Sequence, residues 1–333
     1  MSQLIEVRVL SVPREEPIEV NNVEQTLQEL EVEVLTGDKA GEVLILRNGD
    51  IPMTRQNIHR AGERLMVSYS DPSDLNTFHI VDYVRRTDLE LWAIIFIIVT
   101  LAITRKQGLM ALVSLAFTFF IIFQLTLPMI MGGNNPFLVS LLTVTIIIPV
   151  TFYISHGFKR KTHVAAIGTV ISLFITIILA HLAVDGANLT GYTSDEASFI
   201  FATLGDLINM RGLLLAGIVI GSLGVINDVT IAQATLVEEL KKGEPKLKFK
   251  ELYLKSMKVG RAHIVSMVDT LVLTYAGASL PLLILLIDGH APLMQVLNYE
   301  IIAEEIVRTL VGSIGLMLAV PITTIIAAAF NSD

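Results

Sequence analysis

Residues 212–237 read GLLLAGIVIGSLGVINDVTIAQATLV, an apolar run long enough to cross a bilayer, broken by Asn227, Asp228 and Gln233. An acid near the middle of such a segment costs about 2.5–3.5 kcal/mol on insertion scales. It persists where a partner or a task offsets that cost, and the default task is a proton or cation relay. Gly217, Gly221, Gly224 and Asp228 follow one another at helical spacing and share one face. Small residues on that face are expected to let a neighbouring helix approach closely. The midpoint of the segment falls between Gly224 and Val225. Asp228 therefore sits about 5 Å from mid-membrane along the axis.

A second group follows at 264–287, where Asp269 and Thr270 sit beside Thr274. Asp269 lies about 10 Å from the centre of its segment on the same helical rise. Asp228, Asn227, Asp269, Thr270 and Gln233 are thus the ion-coupling candidates. A structural role, with each acid held by a neighbouring threonine or backbone group, is the competing reading. Paired carboxylates could also share a proton, as in an aspartyl protease. The GxGD pattern of intramembrane aspartyl proteases is absent, because VSMV precedes Asp269. Gly312 and Gly315 give the last apolar segment a small face expected to serve packing. Pro128, Pro149, Pro281 and Pro321 are expected to kink or end helices. His156, His163, His181 and His263 flank or end segments without metal-like companions. No phosphate loop, nucleophile elbow or HExxH occurs, so neither an enzyme class nor a cofactor or metal is expected.

The elements that position these residues divide at about residue 88. Residues 1–88 hold 16 acids and 9 Lys/Arg, a net of −7 out of −8 for the chain. Short alternating runs at 4–12, 27–35, 41–48, 64–70 and 77–84, separated by turns such as TGDKAG and SDPSD, predict a small all-β domain, an OB-like barrel. The whole chain is 53% hydrophobic, with a mean hydropathy of +0.65, too apolar for a soluble protein, and the excess lies beyond this domain. Seven spans are predicted, at 89–104, 109–131, 136–155, 163–184, 212–237, 264–287 and 309–330. The stretches 196–210 and 300–308 read as interfacial helices.

Of the 15 Lys/Arg beyond residue 88, all but Arg211 and Arg308 fall in loops that seven alternating spans place on one side. The positive-inside rule makes that side cytoplasmic, with the β domain outside and the C-terminus inside. Such a domain does not cross unaided, and MSQLIEVRVL has no signal-like pattern. The favoured expectation is a membrane helix preceding the given sequence; the alternative is that the domain is inside and the charge rule fails. The basic loop 241–261 is expected to meet anionic lipid headgroups. The acidic balance argues against nucleic acid.

The motifs GVINDVTIAQATLVEEL (224–240), GRAHIVSMVDTLVLTYAGASLPLLILL (260–286) and EIVRTLVGSIGLMLAVPITTIIAA (305–328) resemble the YibE/F family of bacterial multi-pass membrane proteins. SHGFKRKT and RGLLLAGIVIG are similar to it as well, and the likeness covers about 85–330. It implies an inner-membrane protein with a further N-terminal helix before the β domain. More distantly, the segment around INDVTIAQATLVEELKK is similar to the second half of SecF-type subunits of the RND superfamily. That likeness implies an RND-like helix arrangement and makes Asn227 and Asp228 coupling residues. The family more often has Asn where Asp269 stands and Asp where Ala262 stands, so Asp269 departs from its pattern. The expected function is an ion-coupled transporter or transporter subunit. The alternative is an accessory or assembly factor whose outer domain binds an envelope partner while the spans only anchor it. The expected protein partner is an envelope protein or further copies of the chain in a homo-oligomer.

Overall fold

The computed structural model describes residues 3–20, 23–49, 57–71, 74, 77–288 and 292–331. Two compact units divide the chain, Met1–Val99 and Thr100–Asp333.

The first unit is a five-stranded antiparallel sheet of order β3-β2-β1-β4-β5: β1 Gln3–Val20, β2 Val23–Val34, β3 Val43–Asn48, β4 Arg64–Tyr69 and β5 His79–Tyr83. Period-two alternation sends Val7, Val9, Leu30, Val32, Leu65 and Val67 into one core. The two edge strands, β3 and β5, approach within 8 Å between Cα atoms. Strand β1 runs well past the expected 4–12. It carries Pro13 by shifting register between Val9 and Ser11 and again between Ser11 and Arg14. Pro17 sits opposite Thr26, beyond the residues that β4 pairs, where β1 is an edge. Irregularities and edges are where a sheet tolerates proline. A buried amide network closes the core, with the Gln28 side chain accepting from His59 N (2.9 Å) and donating to His59 O (3.1 Å). Of the expected SDPSD turn, Pro72 and Ser73 lie outside the described residues.

The second unit is helical. Its elements, beginning with the helix that enters it, are α1 Arg86–Ile121, α2 Leu127–Met131, α3 Pro136–His156, α4 Arg160–Gly186, α5 Asp195–Leu204, α6 Met210–Gly243, α7 Phe249–Ala278, α8 Leu280–Asp288, α9 Leu293–Val296 and α10 Glu300–Asn331. Among the described residues, five stretches are long and apolar enough to cross a membrane: Arg86–Met131, Pro136–His156, Arg160–Gly186, Met210–Gly243 and Glu300–Asn331. The first has 46 residues, about 69 Å of helix against a hydrocarbon layer of about 30 Å. Its backbone breaks at Arg105 (φ 54°, ψ −126°), where the sequence predicts a loop between two spans. A π-helical turn at Ile122–Thr126 precedes Pro128, and the Thr126 hydroxyl donates to Ile121 O (3.3 Å), a carbonyl of the widened turn.

Helix α6 is the centre of the bundle and packs against α3, α4, α7 and α10. Close contact is set by glycines that the sequence did not single out, together with one that it did. A Cβ at Gly315 would overlap Thr176, one at Gly168 would overlap Thr323, and one at Gly260 would come within 2.7 Å of Val320. Interhelical hydroxyl pairs add to this, Thr169 to Thr230 at 2.7 Å and Thr126 to Thr143 at 2.7 Å.

Three expectations are corrected. The basic segment 241–261 is a helical hairpin rather than a loop, since α6 continues to Gly243 and α7 begins at Phe249. Lysine and glutamate are good helix formers, and here they also pair: Lys242 with Glu238 (2.9 Å) and Lys255 with Glu244 (2.6 Å). The stretch 300–308 is not a separate interfacial helix but the first turns of α10. The expected span 264–287 is divided at Ser279, two residues before Pro281, between α7 and α8. The other interfacial stretch, 196–210, falls on α5 and the 3-10 turn Gly205–Leu207.

Candidate functional site

On α6 one face is buried against the bundle, through residues such as Ile218, Ser222, Ile226 and Val229. The other carries Gly217, Gly221, Gly224 and Asp228, all exposed. Among the described residues these glycines mediate no close helix contact. A Cβ at Gly217 or Gly224 would meet nothing within 4 Å, and one at Gly221 only the Tyr275 hydroxyl at 3.9 Å. The small face thus opens a space instead of admitting a neighbour.

Of these residues, Gly224 and Asp228 line a cavity of about 670 Å³, walled by α1 on both sides of its break, α3 and α6. Asn227 and Asp228 lie side by side in its wall. Facing them are Thr100, Thr104, Ser114 and Thr118 from α1 and Thr151 and Ser155 from α3. Several of these hydroxyls spend their proton on the helix backbone: Thr104 donates to Thr100 O (2.5 Å), Thr118 to Ser114 O (3.0 Å) and Thr151 to Ile147 O (2.9 Å). A hydroxyl used in this way keeps its lone pairs, so acceptors line the cavity. Asn227 Oδ1 is buried without a partner. Among the described residues, Asp228 has neither a hydrogen bond nor an ion pair. The wall is therefore rich in unfilled oxygen acceptors and carries one carboxylate, the donor set that hard cations and protonated water prefer.

Sequence reasoning missed the opposite wall. His156, the last residue of α3, lines the same cavity. It joins an imidazole to a space that already holds Asp228. Gln107, just past the break in α1, adds a side-chain amide.

The remaining candidates lie elsewhere. Gln233 is 3% exposed on the packed side of α6 and donates to Thr324 Oγ1 (2.7 Å) and Ser256 O (3.4 Å), which ties α6 to α10 and α7. Asp269 and Thr270 are exposed on α7 and take no part in the cavity wall. The Thr270 hydroxyl donates to Ser266 O (2.9 Å). On α10, Gly312 faces Ser222, whose Oγ would stand 3.7 Å from a Cβ there. Among the described residues no cluster of His, Cys, Asp or Glu converges as metal ligands would.

A family model described as YibE/F-like protein matches residues 92–333, well over half of the chain. Comparison with curated proteins and with solved structures gives no match.

Proposed function

The chain belongs to the family of YibE/F-like proteins, and from that premise we propose an ion-coupled membrane transporter, or a subunit of one, driven through Asp228. What carries the reading is the juxtaposition of an unpartnered carboxylate with the unfilled oxygens of Asn227 and the cavity hydroxyls. A carboxylate in that setting gains or loses a proton, or holds a small cation, without first breaking a structural ion pair. The hydroxyl oxygens accept from whatever replaces bulk water around the ion. His156, at the end of α3, is the second titratable group along the same route.

In this reading the protein sits in a bacterial inner membrane with the β domain outside. The antiparallel order β3-β2-β1-β4-β5, with its edge strands β3 and β5 coming within 8 Å of each other, supports an OB-like barrel. The basic hairpin 241–261 faces anionic headgroups on the cytoplasmic side. Reconstitution into vesicles carrying lumenal proton- and sodium-sensitive dyes tests the proposal. Under an imposed potential, flux of one of the two ions should fall to the empty-vesicle background in Asp228→Asn and persist in part in Asp228→Glu. Equal flux through wild type and Asp228→Asn would sink it.

A further inference from the structure

A second cavity, of about 710 Å³, lies apart from the Asp228 site. Its walls come from the N-terminal turn of α5, the α7–α8 junction at Ala278–Leu282, and the first turns of α10. Among the described residues, four acids line it, Asp195, Glu196, Glu304 and Glu305, against a single cation, Arg308. Glu305 takes up that cation at 2.7 Å. Asp195 and Glu196 have an ordinary reason to be there, since acids favour the first turn of a helix, here capped by Ser194 accepting from Ala197 N (3.0 Å). Glu304 has no such reason. It is only 8% exposed, and although Thr193 and the Gly191 backbone are its hydrogen-bonding neighbours, its Oε1 is buried with no partner. Arg308 stands one turn along α10 and pairs directly with Glu305, so it acts on Glu304 only through longer-range attraction.

Glu304 lines the cavity as a carboxylate more than nine-tenths buried. A charge so placed is costly, and a cationic ligand in the cavity would offset that cost. The cavity is far larger than a bare ion needs and lies within the range of small-molecule sites, about 300–1,000 Å³. No set of three metal-ligating side chains converges among the described residues. Pro281 and Leu282 supply apolar wall beside the acids. We propose that this cavity binds a small organic cation bearing protonated amines, with Glu304 as the anchoring carboxylate. The inference stands apart from the Asp228 reading, because the two cavities share no residue.

Titration calorimetry of spermidine into the full-length protein in lipid-free neutral detergent tests it. Saturable binding is expected, weakened at least tenfold in Glu304→Gln, unchanged in Asp228→Asn, and absent for an uncharged diol of similar length. If Glu304→Gln does not fold, the double variant Asp195→Asn/Glu196→Gln, which keeps the Ser194 cap, should weaken binding several-fold by removing two lining charges. Lack of saturable binding to wild type would overturn the proposal. So would equal affinity in a folded variant, or displacement of spermidine by equimolar magnesium.

Discussion

Asp228→Asn should leave the folded state nearly as stable as wild type, although the residue sits within a span. The amide has almost the shape of the carboxyl group, and among the described residues the carboxylate has no hydrogen bond or ion pair to lose. The glycine face beside it meets open space at Gly217 and Gly224, so no packing depends on its charge. A change confined to such a position is usually worth within about 0.5 kcal/mol. Had Asp228 been held by a buried partner, removing its charge would cost about 3–5 kcal/mol by stranding that partner. The two cases stand at least about 2.5 kcal/mol apart, a factor of about sixty or more in the unfolding equilibrium, since about 1.4 kcal/mol is tenfold. Equilibrium unfolding in mixed micelles, titrated with a denaturing detergent and followed by far-UV circular dichroism, resolves that gap. A loss of about 3 kcal/mol or more would refute the reasoning, because it would make the carboxylate a structural brace.

Other outcomes follow from the same geometry. Gly315→Ala, which drives a Cβ into Thr176, should cost about 1–3 kcal/mol by overpacking, whereas Gly224→Ala should be near neutral in the same unfolding assay. A double-mutant cycle of Gln233→Leu and Thr324→Val should return a coupling of about 0.6–1.7 kcal/mol, the range for hydrogen bonds between membrane helices; zero coupling would remove Gln233 as the tie between α6 and α10. In the β domain, burial lowers the His59 pKa below its usual value and outweighs the opposing pull of Glu63, whose Oε2 lies 3.4 Å from Nδ1. The neutral ring is therefore favoured in the fold. Its contribution is fully present above the unfolded pKa of about 6.5 and is lost as pH falls below that toward the folded value. Hydrogen exchange on the full-length protein should show protection of β1 and β2 falling between pH 7 and pH 5, and His59→Phe should flatten that dependence.

Much of the architecture can be read from side-chain periodicity. Alternating valines in β1 and β2 mark the sheet, and long apolar runs mark the helices. What escapes the sequence is whatever depends on a neighbour. Pro13 looks like the end of a strand until two register shifts carry β1 past it. The charges of 241–261 read as loop until Lys255 is seen to clamp Glu244 across the hairpin. A glycine face looks the same in sequence whether it admits a helix, as at Gly315, or lines a void, as at Gly224. The serines and threonines of α1 and α3 each pass as a single polar residue bonded to its own backbone, and only their convergence opposite Asp228 makes them a wall. Asn227 and Asp228 were legible because a carboxylate in an apolar run is rare; His156 was not, because a histidine at a helix end is ordinary.

Titration of the Asp228 side chain inside the bilayer is best observed by pH-difference infrared spectroscopy of the reconstituted protein. The account predicts a carboxylic-acid carbonyl band that appears and disappears with pH in wild type and is missing from the Asp228→Asn difference spectrum. Identical difference spectra from the two proteins would contradict it.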